Sequence, residues 1–125
     1  MCRLFVKYIL AAGLLALAAS CGIGGPKASD PLPADQLENT LQQSFQSADA
    51  PTRDALGKVI QKFKDHDVAA AFRDVKALAS EPGLTKEQRI NAIRAGNTIS
   101  QMLQDAAQKG DAQAADMIRS YNGSH

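Results

Sequence analysis

Tryptophan is absent from this 125-residue chain, cysteine and histidine occur twice each, and aromatic residues make up 5%. Each scarcity closes off some chemistry. A metal site needs three or more converging ligands, yet His66 is the only internal histidine, so Asp65-His66-Asp67 reads as a solvated turn in which Asp67 caps a helix. No metal is expected. Lys and Arg number 14 against 13 Asp and Glu, a balance that builds no basic field for nucleic acid and no polybasic patch for anionic lipid. Nucleic acid is not an expected partner. No stretch alternates at period two with β-branched residues, so strands are not expected. Carboxylate pairs such as Asp111 with Asp116, or Glu81 with Glu87, lie in no segment that promises a cleft. Ser, Thr and Lys residues have no base at a suggestive spacing. The expectation is a protein without catalytic residues, not an enzyme.

Long apolar runs are also missing. Crossing about 30 Å of hydrocarbon takes roughly 20 apolar residues, whereas the uncharged run here is Tyr8 to Ala19, and Lys7 interrupts any longer stretch. Arg3 and Lys7 before that run instead make the charged and apolar regions of a secretory signal. Small residues Ala18, Ala19 and Ser20 suit a peptidase groove, and Cys21 follows them directly. Leu17-Ala18-Ala19-Ser20-Cys21 resembles the lipobox of bacterial lipoproteins, with Ala18 where that family usually has Leu. The resemblance implies cleavage between Ser20 and Cys21, a diacylglyceryl group on the Cys21 thiol and an acyl group on the new amine. It also implies a protein exported and held at the membrane by lipid. Gly22 in place of Asp implies the outer membrane if the host has one. Two or three acyl chains, at about 0.8 kcal/mol per buried CH₂, hold firmly without further contacts. With Cys2 removed and Cys21 lipidated, the mature chain has no free thiol. Loss of Arg3 and Lys7 leaves 12 basic residues against 13 acidic. No cofactor beyond the covalent lipid is expected.

The sequence divides into a signal peptide (1–20), a flexible tether (21–34), a helical domain (35–122) and a short tail (123–125). Residues 22–33 hold three Gly and three Pro with no apolar period, which suits a tether. The stretch from Cys21 to Asp35 spans roughly 40 Å at full extension. Beyond it the pattern is all-α: a small irregular bundle of four to five short helices in antiparallel hairpins. Asp35-Gln36-Leu37-Glu38 predicts a capping box, with Leu37, Leu41 and Phe45 forming one narrow stripe. Pro51 suits the first turn of a second helix carrying Leu56, Val59, Ile60 and Phe63. Asp67 opens a third, with Val68, Ala71, Phe72, Val75 and Leu78 at helical spacing. Thr85-Lys86-Glu87-Gln88 is a further capping box and starts the longest helix, lined by Ile90, Ile93, Ile99, Met102, Leu103 and Ala106. Gly96 in its middle suggests close approach of another helix or a bend, since a mid-helix Gly costs about 1 kcal/mol against Ala. Gly110 ends that helix and Asp111 caps a last one.

Asp67-Val68-Ala69-Ala70-Ala71-Phe72, with Val75, Leu78 and Pro82, is similar to the second helix of a tetratricopeptide hairpin. Lys109-Gly110-Asp111-Ala112-Gln113-Ala114-Ala115 echoes its start, at a separation of 44 residues where that family has 34. Local helix-hairpin chemistry is the expected account of the echo, and true repeat homology is the alternative. The functional expectation is a lipid-anchored, non-enzymatic lipoprotein that presents a helical protein–protein interaction surface to a partner of unknown identity, with Leu37, Leu41 and Phe45 as the candidate stripe. The alternative is a bundle that encloses a small apolar ligand, in a pocket lined by residues such as Phe63, Phe72, Ile93 and Met102.

Overall fold

The computed structural model describes residues 30–123. Ser20, Cys21 and the signal peptide lie outside the described residues, as do Ser124 and His125. The described chain forms five α-helices, α1 (Leu37–Ser44), α2 (Ala50–Lys64), α3 (Val68–Ala79), α4 (Lys86–Gln108) and α5 (Ala112–Gly123), and no strand. They pack as a small helical bundle. The longest, α4, is its axis and touches α1, α3 and α5; α2 packs on α3 and α1 and has no contact with α4.

Local chemistry sets most of the boundaries. The Asp49 carboxylate accepts from the Thr52 amide at 3.0 Å and Pro51 occupies the first turn of α2. Asp67 and Asp111 do the same for α3 and α5, accepting from the amides of Ala70 and Ala114, each at 3.2 Å. Thr85 and Gln88 form the reciprocal capping box of α4, with bonds of 3.0 and 3.1 Å. Each such cap satisfies an amide that the helix leaves unpaired. At α1 the expected box does not form. The Gln36 amide donates to the Pro33 carbonyl at 3.0 Å, so a turn closed by Pro33 moves the cap to Gln36, without a side-chain bond. Glu38 turns instead to Lys64 Nζ, 3.3 Å away.

The corners after α2 and α4 share one design. The Asp67 amide donates to the Lys62 carbonyl and the His66 amide to that of Phe63, at 3.0 and 3.2 Å. The Asp111 amide donates to the Ala106 carbonyl and that of Gly110 to Ala107, at 3.0 and 3.1 Å. These are the paired bonds of a Schellman motif, which needs a left-handed residue just past the helix. Gly110 supplies it at φ 97° and His66 at φ 59°. In both corners the next residue is the Asp that caps the following helix. The echo between the segments starting at Asp67 and Asp111 is therefore a repeated corner.

The core corrects two further expectations. Leu32, assigned to the tether, is 4% exposed and belongs to the core with Leu37, Leu41, Val59, Val75 and Ile99. Its amide donates to the Arg94 carbonyl at 3.4 Å. Residues 30–34, expected in the tether, thus belong to the folded unit. On α4 the apolar period is present, but the buried side is rotated from the one Ile90, Ile93 and Met102 suggest. Gln88, Asn91, Ala92, Ala95, Gly96, Thr98, Ile99 and Leu103 are buried, while Ile93 is 37% exposed. Gln88, Asn91 and Thr98 lie inside because polar groups of Ser44 at α1's end and of Leu32 before it face them there.

Candidate functional site

The stripe of Leu37, Leu41 and Phe45 lies inside the bundle, with every member buried. In this conformation it joins α1 to the core and presents nothing to a partner. Its burial has a polar complement on α4. Asn91 Nδ2 donates to Ser44 Oγ at 2.6 Å, Ser44 Oγ donates to the Thr40 carbonyl at 2.8 Å, and Gln88 Nε2 donates to the Ser44 carbonyl at 3.2 Å. A frayed end of α1 is thereby supplied with partners, which a buried carbonyl requires.

One turn further along α4, the chain entering the bundle is fastened as a strap. Thr98 Oγ1 donates to the Leu32 carbonyl at 2.6 Å, Arg94 Nε donates to the Asp30 carbonyl at 2.9 Å, and the Leu32 side chain fills the core. Pro31 and Pro33 suit this stretch because a fixed φ and a missing N–H favour extended chain. The Leu32 amide between them is free to donate. The strap fixes where any segment upstream of Asp30 meets the bundle.

On another side of α4, helices α3, α4 and α5 leave a cleft of about 130 Å³ lined by Phe72, Val75, Lys76, Ile93, Gly96 and Tyr121, among others. Its floor is Gly96, where the missing side chain lets Val75 Cγ1 stand 3.6 Å from the position a Cβ would take. Its wall is the Tyr121 ring, set edge-on to Phe72 with centroids 5.4 Å apart. Lys76 Nζ lies 5.1 Å from the Tyr121 centroid, in cation–π range. Ile93 and Tyr121, the two exposed large apolar side chains among the described residues, both border it. Sites for drug-sized molecules run from about 300 to 1,000 Å³. This cleft is the size of one side chain. Of the residues expected to enclose a ligand, Phe72 and Ile93 meet here, while Phe63 and Met102 do not line the cleft.

Several charged residues are engaged within their own helix or corner. Asp65 accepts from Gln61 Nε2 at 3.0 and 3.1 Å, and Asp67 combines its capping bond with Lys62 at 4.0 Å. Arg73 meets Asp74 at 3.5 Å and Arg119 pairs with Asp116. Among the described residues no three His, Cys, Asp or Glu side chains are placed to hold a metal ion. The side-chain and then the backbone hydrogen bonds to Thr52 hold the Asp49 carboxyl below the usual carboxylate range.

Sequence reasoning missed the strap and the Lys76–Tyr121 wall. Leu32 stands alone between two prolines and has no periodic neighbour. Nothing in the spacing of Tyr121 points to Lys76, 45 residues earlier in the sequence. No family model, curated protein or solved structure matches the chain.

Proposed function

We propose that this chain is the precursor of an exported lipoprotein, anchored through lipid on Cys21, whose helical bundle is a non-enzymatic contact module for a protein partner. The observation that supports this reading best is the strap. Asp30 to Leu32, downstream of the lipobox-like Cys21, are fastened to the central helix through Thr98, Arg94 and the buried Leu32 side chain. A lipid at Cys21 then holds the bundle at a set place on its surface.

The contact surface we assign is the α3–α4–α5 cleft. Interfaces concentrate their energy in a few aromatic or long side chains seated in small pockets. The cleft has that scale, a half-exposed Tyr121 and Ile93 at its rim, and one cation, Lys76, on its wall. The mechanism is tethered presentation: lipid fixes the location, the residues between Cys21 and Asp30 give reach, and the cleft receives one side chain of the partner.

A Cys21→Ser variant tests the anchor. Metabolic labelling with a palmitate analogue and fractionation are expected to show loss of label and release of the protein from membranes. A Cys21→Ser product of unchanged mass that stays in the membrane fraction overturns the anchored reading.

A further inference from the structure

We infer that the bundle rests on the bilayer surface through the outer side of the first half of α4, along Lys86, Ile90 and Arg94, with anionic lipid headgroups as the occupant. The inference depends on the lipid anchor proposed above. Those residues recur at a spacing of four and so form one ridge along the helix. Lys86 is exposed and Ile90 and Arg94 half-buried. Beside them Lys86, Glu87, Ile90 and Asn91 line a shallow depression of about 450 Å³ whose apolar floor is Ile90.

The strap decides which surface faces the lipid. Arg94 Nε is bonded to the Asp30 carbonyl at 2.9 Å, so the chain coming from Cys21 reaches the bundle on this ridge. Nine residue steps separate Cys21 from Asp30. As a coil they average about 17 Å end to end and at full stretch about 30 Å. A folded unit of this size has a radius of gyration near 12 Å. With the ridge toward the bilayer the tether stays relaxed. With the ridge turned away it has to pass around the bundle, close to its full extension, which the coil disfavours.

The chemistry of the ridge matches an interface. Lys and Arg flanking an aliphatic residue keep their charged ends at the headgroups while their stems lie on apolar surface, and a cation near an anionic leaflet is attracted to it. Two cations are too few to hold the protein alone and enough to orient one already anchored. Ile93 and Asn97 stand seven residues beyond Lys86 and Ile90, so the rim of the cleft borders this ridge along α4.

The chain has no tryptophan, so a single introduced indole reports depth. The full chain, matured and lipidated in cells, is purified as Ile90→Trp, Gln101→Trp and Lys58→Trp variants and reconstituted into phosphatidylethanolamine–phosphatidylglycerol vesicles carrying brominated acyl chains. Gln101 is exposed on the same side of α4, so its variant does not put folding at risk; Lys58 is exposed on α2, which has no contact with α4. Quenching at positions 90 and 101 is expected to exceed that at 58 about two-fold or more. Lys86→Glu, or phosphatidylcholine in place of phosphatidylglycerol, is expected to bring position 90 down to the level of 58. Vesicle-bound protein quenched equally at all three positions overturns the docking face and leaves the anchor intact. Protein that does not float with the vesicles overturns both. Position 90 shielded equally in detergent, with a doubled mass, overturns it in favour of a second copy on the ridge.

Discussion

Thr98 Oγ1 donates to the Leu32 carbonyl at 2.6 Å, a buried bond between residues 66 apart in sequence. The same hydroxyl lies 3.2 Å from the Arg94 carbonyl, the usual resting partner of a mid-helix Thr. A side chain that would otherwise only satisfy its own helix thereby holds the entering chain.

Replacing Thr98 by Val keeps shape and removes the donor. The Leu32 carbonyl is then buried without its partner, at a cost of about 1–3 kcal/mol. Urea denaturation is expected to show that loss, and limited proteolysis to show faster cleavage within residues 30–34. Thr98→Ser, which keeps the hydroxyl, is expected to retain most of the stability. Equal stability in all three proteins argues against the strap.

The two Schellman corners predict opposite responses to glycine. His66 sits at φ 59° and Gly110 at φ 97°. The left-handed conformation costs an ordinary residue roughly 1–2 kcal/mol and glycine nothing comparable. His66→Gly is expected to raise stability by up to about 1 kcal/mol, less the extra entropy glycine brings to the unfolded chain. Gly110→Ala is expected to lower it by at least about 1 kcal/mol. Paired thermal melts of the two variants check both signs.

These corners show what the sequence discloses and why it stops. Thr85, Asp67, Asp111 and Gly110 declare themselves because capping is a local transaction between residues three or four apart. His66 does not, because its left-handed turn is imposed by where α3 must start, and histidine carries no strong signal for it. Asp35 misleads for a related reason: it has the right chemistry for a cap, but the Pro33 turn claims the preceding residues. The helix count and the hairpin order follow from the apolar period of Leu56, Val59 and Ile60 or of Val68, Phe72 and Val75. Which side of α4 is buried does not. Asn91 and Thr98 are placed inside by the side chain of Ser44 and the backbone carbonyl of Leu32, partners that only the tertiary fold brings near. The cleft was half legible: Gly96 signals close approach, and Phe72 and Ile93 were expected around a pocket, but the pocket proves to be side-chain sized.

Acid exposes the Asp49 cap. Its carboxyl is held below the ordinary value by bonds to Thr52. A group with a depressed folded pKa contributes stability above its unfolded value, about 3.9 for Asp, and loses it as pH falls through the folded value. Asn at this position still caps but does not titrate. The stability difference between the native chain and Asp49→Asn is therefore expected to be constant above about pH 5 and to shrink toward pH 2. Urea midpoints measured across that range test it; a difference that grows on acidification contradicts the assignment.

Gly96 separates stability from function. A Cβ built there meets Val75 Cγ1 at 3.6 Å, an ordinary contact, so α3 need not move to accept alanine. An interior Gly costs a helix about 1 kcal/mol relative to Ala, and Gly96→Ala is expected to recover most of it. For a domain of this size that raises the melting temperature by roughly 4–8 °C. The same methyl fills part of a cleft of about 130 Å³. If the cleft receives a partner's side chain, a photo-crosslinker at position 93 in living cells captures that partner in the native chain and captures it less in Gly96→Ala, although the variant is the more stable protein. A stabilised variant with undiminished capture removes the cleft from the contact surface. A destabilised one shows instead that α3 and α4 pack too tightly at Val75 to admit a methyl group.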